Sequence, residues 1–156
     1  LIDSKCERRS FVANPVNLEI ETDFKKPKIL LPRHPEGKVP GNREWKFEKS
    51  ILVQSSDLVD GKVRLKDFAD IYISGSKAKI ESLDRSDNRP IIHWLTKCVA
   101  KEAILSIPNE EGSKIIRGLV EGFEIRKGEV YQLERIGFAR VDDIVDGIVR
   151  LLWLHN

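Results

Sequence analysis

The sequence predicts an all-β fold, built as one or two closed antiparallel barrels. Three observations point there. Apolar and polar residues alternate over short windows such as "VNLEIET" (16–22) and "KVRL" (62–65), the period of a strand with one buried face. The windows are short, β-branched and separated by turn signals. Few windows carry a helical period.

From the N-terminus, "VNLEIET" reads as a strand. Residues 27–42, "PKILLPRHPEGKVPGN", hold four prolines and two glycines in 16 residues, so they read as a loop with extended ends. "WKFEKSILVQ" (45–54) is a strand candidate, and "SSDLVDG" (55–61) is a turn or one helical turn that Ser56 or Asp57 can cap. "KVRLKDFADIYISGS" (62–76) and "KAKIESLDR" (77–85) read as two strands around a turn at Gly75, followed by a strong turn at "SDNRP" (86–90). "IIHWLTK", "EAILSIP", "KIIRGLVEG", "EVYQLERIGFARVDD" and "GIVRLLWLH" complete the chain as strands. There is no internal repeat and no low-complexity tract.

Composition excludes several classes. The 156 residues are 40% hydrophobic, enough for a core and against disorder. The 27 basic and 25 acidic residues leave a net charge of only +2, so any nucleic-acid surface must come from local clustering. Cys6 and Cys98 are too few for a four-ligand zinc site, and His34, His93 and His155 lack metal-ligand spacing; a reduced cytosolic cysteine pair is expected. No apolar run approaches the ~18 residues of a membrane helix. No phosphate-cradling glycine loop and no nucleophile elbow is present. The acidic pairs Asp142/Asp143 and Glu110/Glu111 sit in polar, turn-like surroundings and read as solvated. His93, between Ile92 and Trp94, reads as a core-edge histidine. The chain therefore reads as a binding module without catalytic residues.

One stretch is more pointed. In "GKVRLKDF" (61–68), Val63 and Leu65 share one strand face while Arg64 and Lys66 share the other. Two cations side by side face either water or an anionic or base-edged ligand.

Several segments together resemble the anticodon-binding region of the glutamyl- and glutaminyl-tRNA synthetases. "SFVANPVNLEI" is similar to the family's entry segment, and "LPRHPEGKVPGNREWKF" to its Pro-x-His-Pro stretch. "GKVRLKD", "PIIHWL", "GLVEG" (with Gly122 where proline is usual) and "GEVYQLERIGFARVDD" resemble its later motifs, in the family's order over roughly 8–150. The short connection between "QSSDL" and "GKVRL" resembles the archaeal and eukaryotic type of glutamyl enzyme.

The resemblance implies two antiparallel β-barrels like ribosomal protein L25. It implies a proximal anticodon-binding barrel over 1–98, with the C-terminal strand 148–156 as a candidate for returning to it, and a distal barrel over 99–147. The chain opens on leucine and lacks the family's His-Ile-Gly-His and Lys-Met-Ser-Lys-Ser motifs, so an N-terminal class I catalytic domain, using ATP and Mg2+, is expected outside it. The whole protein would be a cytoplasmic glutamate–tRNA ligase. Its partners would be the glutamate tRNA, with the glutamine tRNA left open, and neither membrane nor DNA.

The resemblance also nominates residues. Arg8, seven residues before Pro15, stands where the family places a basic residue that reaches the anticodon. Arg64 and Lys66 match positions addressing the first anticodon base in the glutaminyl enzymes, with Lys66 where those carry Arg, so bidentate bonding is lost there. Arg117 falls where a glutamine reads the middle base, and Arg150 matches a basic residue closing that pocket. Arg135 matches the family beside Glu134, where an ion pair is the alternative. Glu36 replaces an asparagine of the glutaminyl pattern, and His34 and Pro35 shape the loop. Of the tryptophans, Trp94 and Trp153 read as core, and Trp45, between Glu44 and Lys46, as more open. A glutaminyl-tRNA synthetase anticodon domain, a free-standing L25-like RNA-binding protein and a protein–protein scaffold remain the competing readings.

Overall fold

The computed structural model describes residues 6–22, 29–34 and 40–156. Among them there are sixteen strands and two short 3-10 turns, at 55–57 and 97–99, and no α-helix. The strands are β1 (Glu7–Arg9), β2 (Phe11–Ala13), β3 (Pro15–Glu21), β4 (Ile29–Pro32), β5 (Asn42–Trp45), β6 (Ser50–Gln54), β7 (Gly61–Leu65) and β8 (Ala69–Ser74). They continue as β9 (Lys77–Ser82), β10 (Ile91–Ile92), β11 (Trp94–Thr96), β12 (Ala100–Asn109), β13 (Gly112–Glu121), β14 (Val130–Leu133), β15 (Gly137–Val145) and β16 (Ile148–His155).

The strands form two seven-stranded sheets and one hairpin. One sheet runs β1-β14-β15-β16-β12-β13-β2 and the other β10-β7-β8-β9-β3-β6-β11. Each is closed by the same device, one extended segment broken at a single residue. Residues 7–9 pair with β14 at one edge of the first sheet, Ser10 intervenes, and residues 11–13 pair with β13 at the other edge. Residues 91–92 pair with β7, His93 intervenes, and residues 94–96 pair with β6. Joining both edges of a sheet through one segment leaves little free edge in either barrel, among the described residues, to recruit other strands. Each barrel thus becomes a closed shell around its own core.

The all-β expectation therefore holds as two barrels. Most pairings are antiparallel, but β1–β14, β3–β9, β7–β10 and β12–β16 are parallel. The C-terminal strand does not return to the other barrel; β16 lies between β15 and β12.

Alternation explains which residues go inside. In β7 Val63 and Leu65 enter one core with Ile71, Ile73, Ile80 and Trp94, while Leu105, Leu133, Val141, Val149 and Leu151 fill the other. Burying each such side chain contributes roughly 1.5–3 kcal/mol.

Several elements differ from the sequence reading. The Pro/Gly-rich segment contains a hairpin, β4–β5, because Ile29, Leu31 and Trp45 are buried in the first of these cores. The run 62–76 is two strands, not one: the chain reverses after Leu65, with Asp67 at φ 58° and Phe68 N–H donating to the Leu65 carbonyl at 3.0 Å. Residues 129–143 likewise split into β14 and β15 around Arg135, at φ 66°. Asp tolerates the left-handed region, but for arginine it is uncommon and strained.

Candidate nucleic-acid interface

The junction of the two barrels holds a cavity of about 430 Å³. Its wall carries Arg8 from β1, Gln132 from β14, Glu134 and Arg135 from the turn after β14, Lys66 after β7, and His93 at the break between β10 and β11. Leu133, Ile136 and Phe138 add apolar surface, and Gly137 and Asn156 complete the lining. Local structure aims the polar groups. Tyr131 and Leu133 are buried in the barrel, so the alternating Gln132 turns outward, and register places Arg8 directly across from it.

The charges are coupled across the junction. His93 Nδ1 lies 2.6 Å from Glu134 Oε2, and Arg8 Nε lies 3.6 Å from Glu134 Oε1. Burial pushes the Glu134 carboxyl up, yet His93, Lys66 and Arg8 outweigh it and hold the group below its ordinary value. Arg135 reaches from one barrel to the other, with Nη1 2.6 Å from Asp57 Oδ2 and Nη2 donating to the Ile91 carbonyl at 3.1 Å. The ion pair expected for Arg135 therefore forms with Asp57, not with its neighbour Glu134.

A second buried carboxylate locks the hairpin. Glu121, 1% exposed, accepts from Trp45 Nε1 at 2.7 Å, from the Ser10 amide at 3.2 Å and from Arg43. Arg33 at the end of β4 receives the Arg8 amide on its carbonyl at 2.8 Å, so the hairpin also supports the cavity.

The nominated residues separate. Arg8 and Lys66 line one cavity. Arg64 does not reach it. It stands across from Asp70 in the β7–β8 pair and donates to Asp70 Oδ1 at 2.9 Å. Asp70 is fully buried and also accepts from the Ser86 amide and hydroxyl at 2.8 and 2.6 Å. Burial raises the Asp70 carboxyl, but the bonds from Ser86 and Arg64 and the charge of Arg89 bring it down to about 2. The two cations of "RLK" thus part company: Arg64 neutralises a buried acid and Lys66 faces the cavity. Arg117 and Arg150 lie elsewhere, both exposed and both in register with Ile104, forming a row across the outer face of the first barrel. Neither has an ion pair among the described residues. Arg117 also lines a separate groove of about 330 Å³ with Asn14, Glu102 and Leu119.

The tryptophans depart in two respects. Trp94 is core, as expected, but Trp153, also read as core, is only half-buried against the core of the other barrel. Trp45 is not open: it is 3% exposed and packs edge-on against Trp94 with centroids 4.9 Å apart. His34 is buried, while Pro35 and Glu36 lie outside the described residues. Cys6 and Cys98 form no disulfide. Among the described residues, no group of three His, Cys, Asp or Glu side chains could hold a metal ion, and no helix is long and apolar enough to cross a membrane.

Sequence reasoning missed Gln132 and the cavity-facing side of Glu134. Both stand in the quoted "QLER", and the buried/exposed alternation around Leu133 was the available signal.

The family model for the class I tRNA synthetases (E and Q), anti-codon binding domain, matches residues 6–88, more than half of the chain. The chain belongs to this family. Similar curated proteins include the glutamate–tRNA ligase of Pyrococcus furiosus, 33% identical over 100% of this chain and 29% of its own length. That of Methanothermobacter thermautotrophicus is 30% identical over 96% of this chain and 28% of its own length. That of Methanosarcina mazei is 35% identical over 94% and 27%. The chain thus spans less than a third of the length of these relatives.

Proposed function

We propose that this chain recognises the anticodon of the glutamate tRNA, as the RNA-choosing part of a glutamate–tRNA ligase. The single observation that carries the reading is the cavity between the barrels, where Arg8, Lys66, Gln132 and Arg135 converge. Unstacked bases expose their Watson–Crick edges, and arginine and glutamine amides are the side chains that hydrogen-bond such edges. Family membership and the names of the relatives support the same reading.

Roles follow from placement. Arg8, Lys66 and Gln132 would take one splayed base, while Arg135, held by Asp57 and the Ile91 carbonyl, would brace the two barrels around it. Arg64 would act through Asp70, holding the strand that presents Lys66. Arg117 and Arg150, exposed and away from the cavity, would hold the RNA backbone. The division into a proximal barrel (1–98) and a distal barrel (99–147) belongs to the proposal, with residues 7–13 and 148–155 taken into the distal one. Activation of glutamate with ATP and Mg2+ would belong to a catalytic part, because neither family ATP motif occurs here. The working compartment would be the cytoplasm.

A fluorescence titration with a glutamate-tRNA anticodon stem-loop, beside a copy with the middle uridine changed, tests the reading. Preference for the native loop is expected. Equal binding to both would leave a generic RNA binder, and no binding by the folded chain at low salt would favour a protein–protein scaffold.

A further inference from the structure

Glu134 is an unusual group to find on the wall of a site for RNA. Its side chain is only 5% exposed, yet it borders the same cavity as Arg8, Lys66 and Arg135. Burying a carboxylate is costly unless it is paired. Here it is held from two barrels at once, by His93 on one side and Arg8 on the other. A cavity built to grip phosphate would leave its cations uncompensated. In this one a fixed anion already occupies the middle of the cationic wall. A phosphate entering would meet that charge beside the cations, and its repulsion offsets part of their attraction. A neutral base with polar edges meets no such repulsion and can still use Arg8, Lys66 and Gln132.

We propose that Glu134 is a specificity-determining residue that reserves the cavity for an uncharged base by excluding phosphate. The proposal rests on the anticodon reading above and adds selection by repulsion to selection by hydrogen bonding. The ionised state of Glu134, maintained by His93, Lys66 and Arg8, agrees with it.

The test uses the whole 156-residue chain and two RNAs: the native stem-loop, and a stem-loop abasic at the middle anticodon position, which keeps its phosphate. The wild type should bind the abasic loop on the order of tenfold more weakly. Glu134→Gln, which removes the charge and little volume, should narrow that gap by gaining affinity for the abasic loop, and should steepen the salt slope by about one. Glu134→Asp keeps the charge and should keep the gap. If Glu134→Gln weakens both loops alike and leaves the slope unchanged, Glu134 merely props Arg8 and the exclusion is overturned. A wild type that binds both loops equally sinks the base-pocket reading itself, which separates the two failures. One measurement needs no variant. Inorganic phosphate titrated into the wild type, followed by the His93 ring proton resonances, should give no saturable shift at millimolar concentration, and a saturable shift overturns the exclusion.

Discussion

The two barrels close in the same way and use the closure differently. In each, one extended segment breaks at a single residue and a buried carboxylate meets the break. At Ser10 the carboxylate is Glu121, sealed under Arg43 and Trp45. At His93 it is Glu134, and there the seam opens onto the cavity. A carboxylate sealed from water with its donors satisfied is scaffolding. One left beside a cavity, with cations around it, helps set the charge of that cavity. Glu121 ends a strand of the barrel whose break it meets, whereas Glu134 follows β14 and meets the break of the other barrel, and among the described residues nothing covers that seam.

The largest expected effect tests the sealed seam. Glu121→Ala strands Arg43, the Trp45 indole N–H and the Ser10 amide, and should cost about 4 kcal/mol of stability in urea unfolding. A loss below 1 kcal/mol would break the comparison by showing Glu121 to be dispensable.

Next comes the acid that belongs to neither seam. Asp70→Asn leaves Arg64 and Arg89 facing a neutral amide and should cost about 3 kcal/mol. The folded carboxyl titrates at about 2, below its ordinary 3.8, so the unfolded chain binds the proton more readily. Its contribution is therefore complete above about pH 4 and lost as pH falls toward 2. Acid unfolding curves of wild type and Asp70→Asn should converge over that window.

Gly118→Ala attacks the first barrel's closure. A Cβ there would stand 2.4 Å from the Val12 carbonyl oxygen, on the strand that closes the sheet. About 2 kcal/mol should be lost, measured by urea unfolding, because a backbone atom cannot swing aside.

The open seam is sharpened by Arg8→Ala. Binding of the native stem-loop should weaken by about 1.5 kcal/mol, with selectivity at one base relaxed. Smallest is Arg117→Ala on the outer face. Stability should change by less than about 0.5 kcal/mol, while all loops weaken alike and the salt slope falls by about one. Loss of base selectivity instead would place Arg117 with the cavity.

Much of the fold was legible because its signal is local. The alternation of Val63, Arg64, Leu65 and Lys66 gives a strand and its buried face without reference to anything else. Reversals at Asp67 and Arg135 were hidden, since neither residue advertises a positive φ as glycine would. The β4–β5 hairpin was hidden among the segment's prolines, of which Pro32 lies in a strand, at the end of β4.

What the sequence determined by itself, then, was an all-β chain, the family it resembles, and Arg8 and Lys66 as candidate contacts. Tertiary structure alone decided that Arg64 is taken by Asp70 while Lys66 is left to the cavity, and that Arg8 faces Gln132. It also brought Glu134 to His93 from the other barrel. The physical reason is range. Strand alternation is set by neighbours two residues apart, whereas the partner of a charge is set by which strands close the barrels, and that pairing joins residues far apart in the chain.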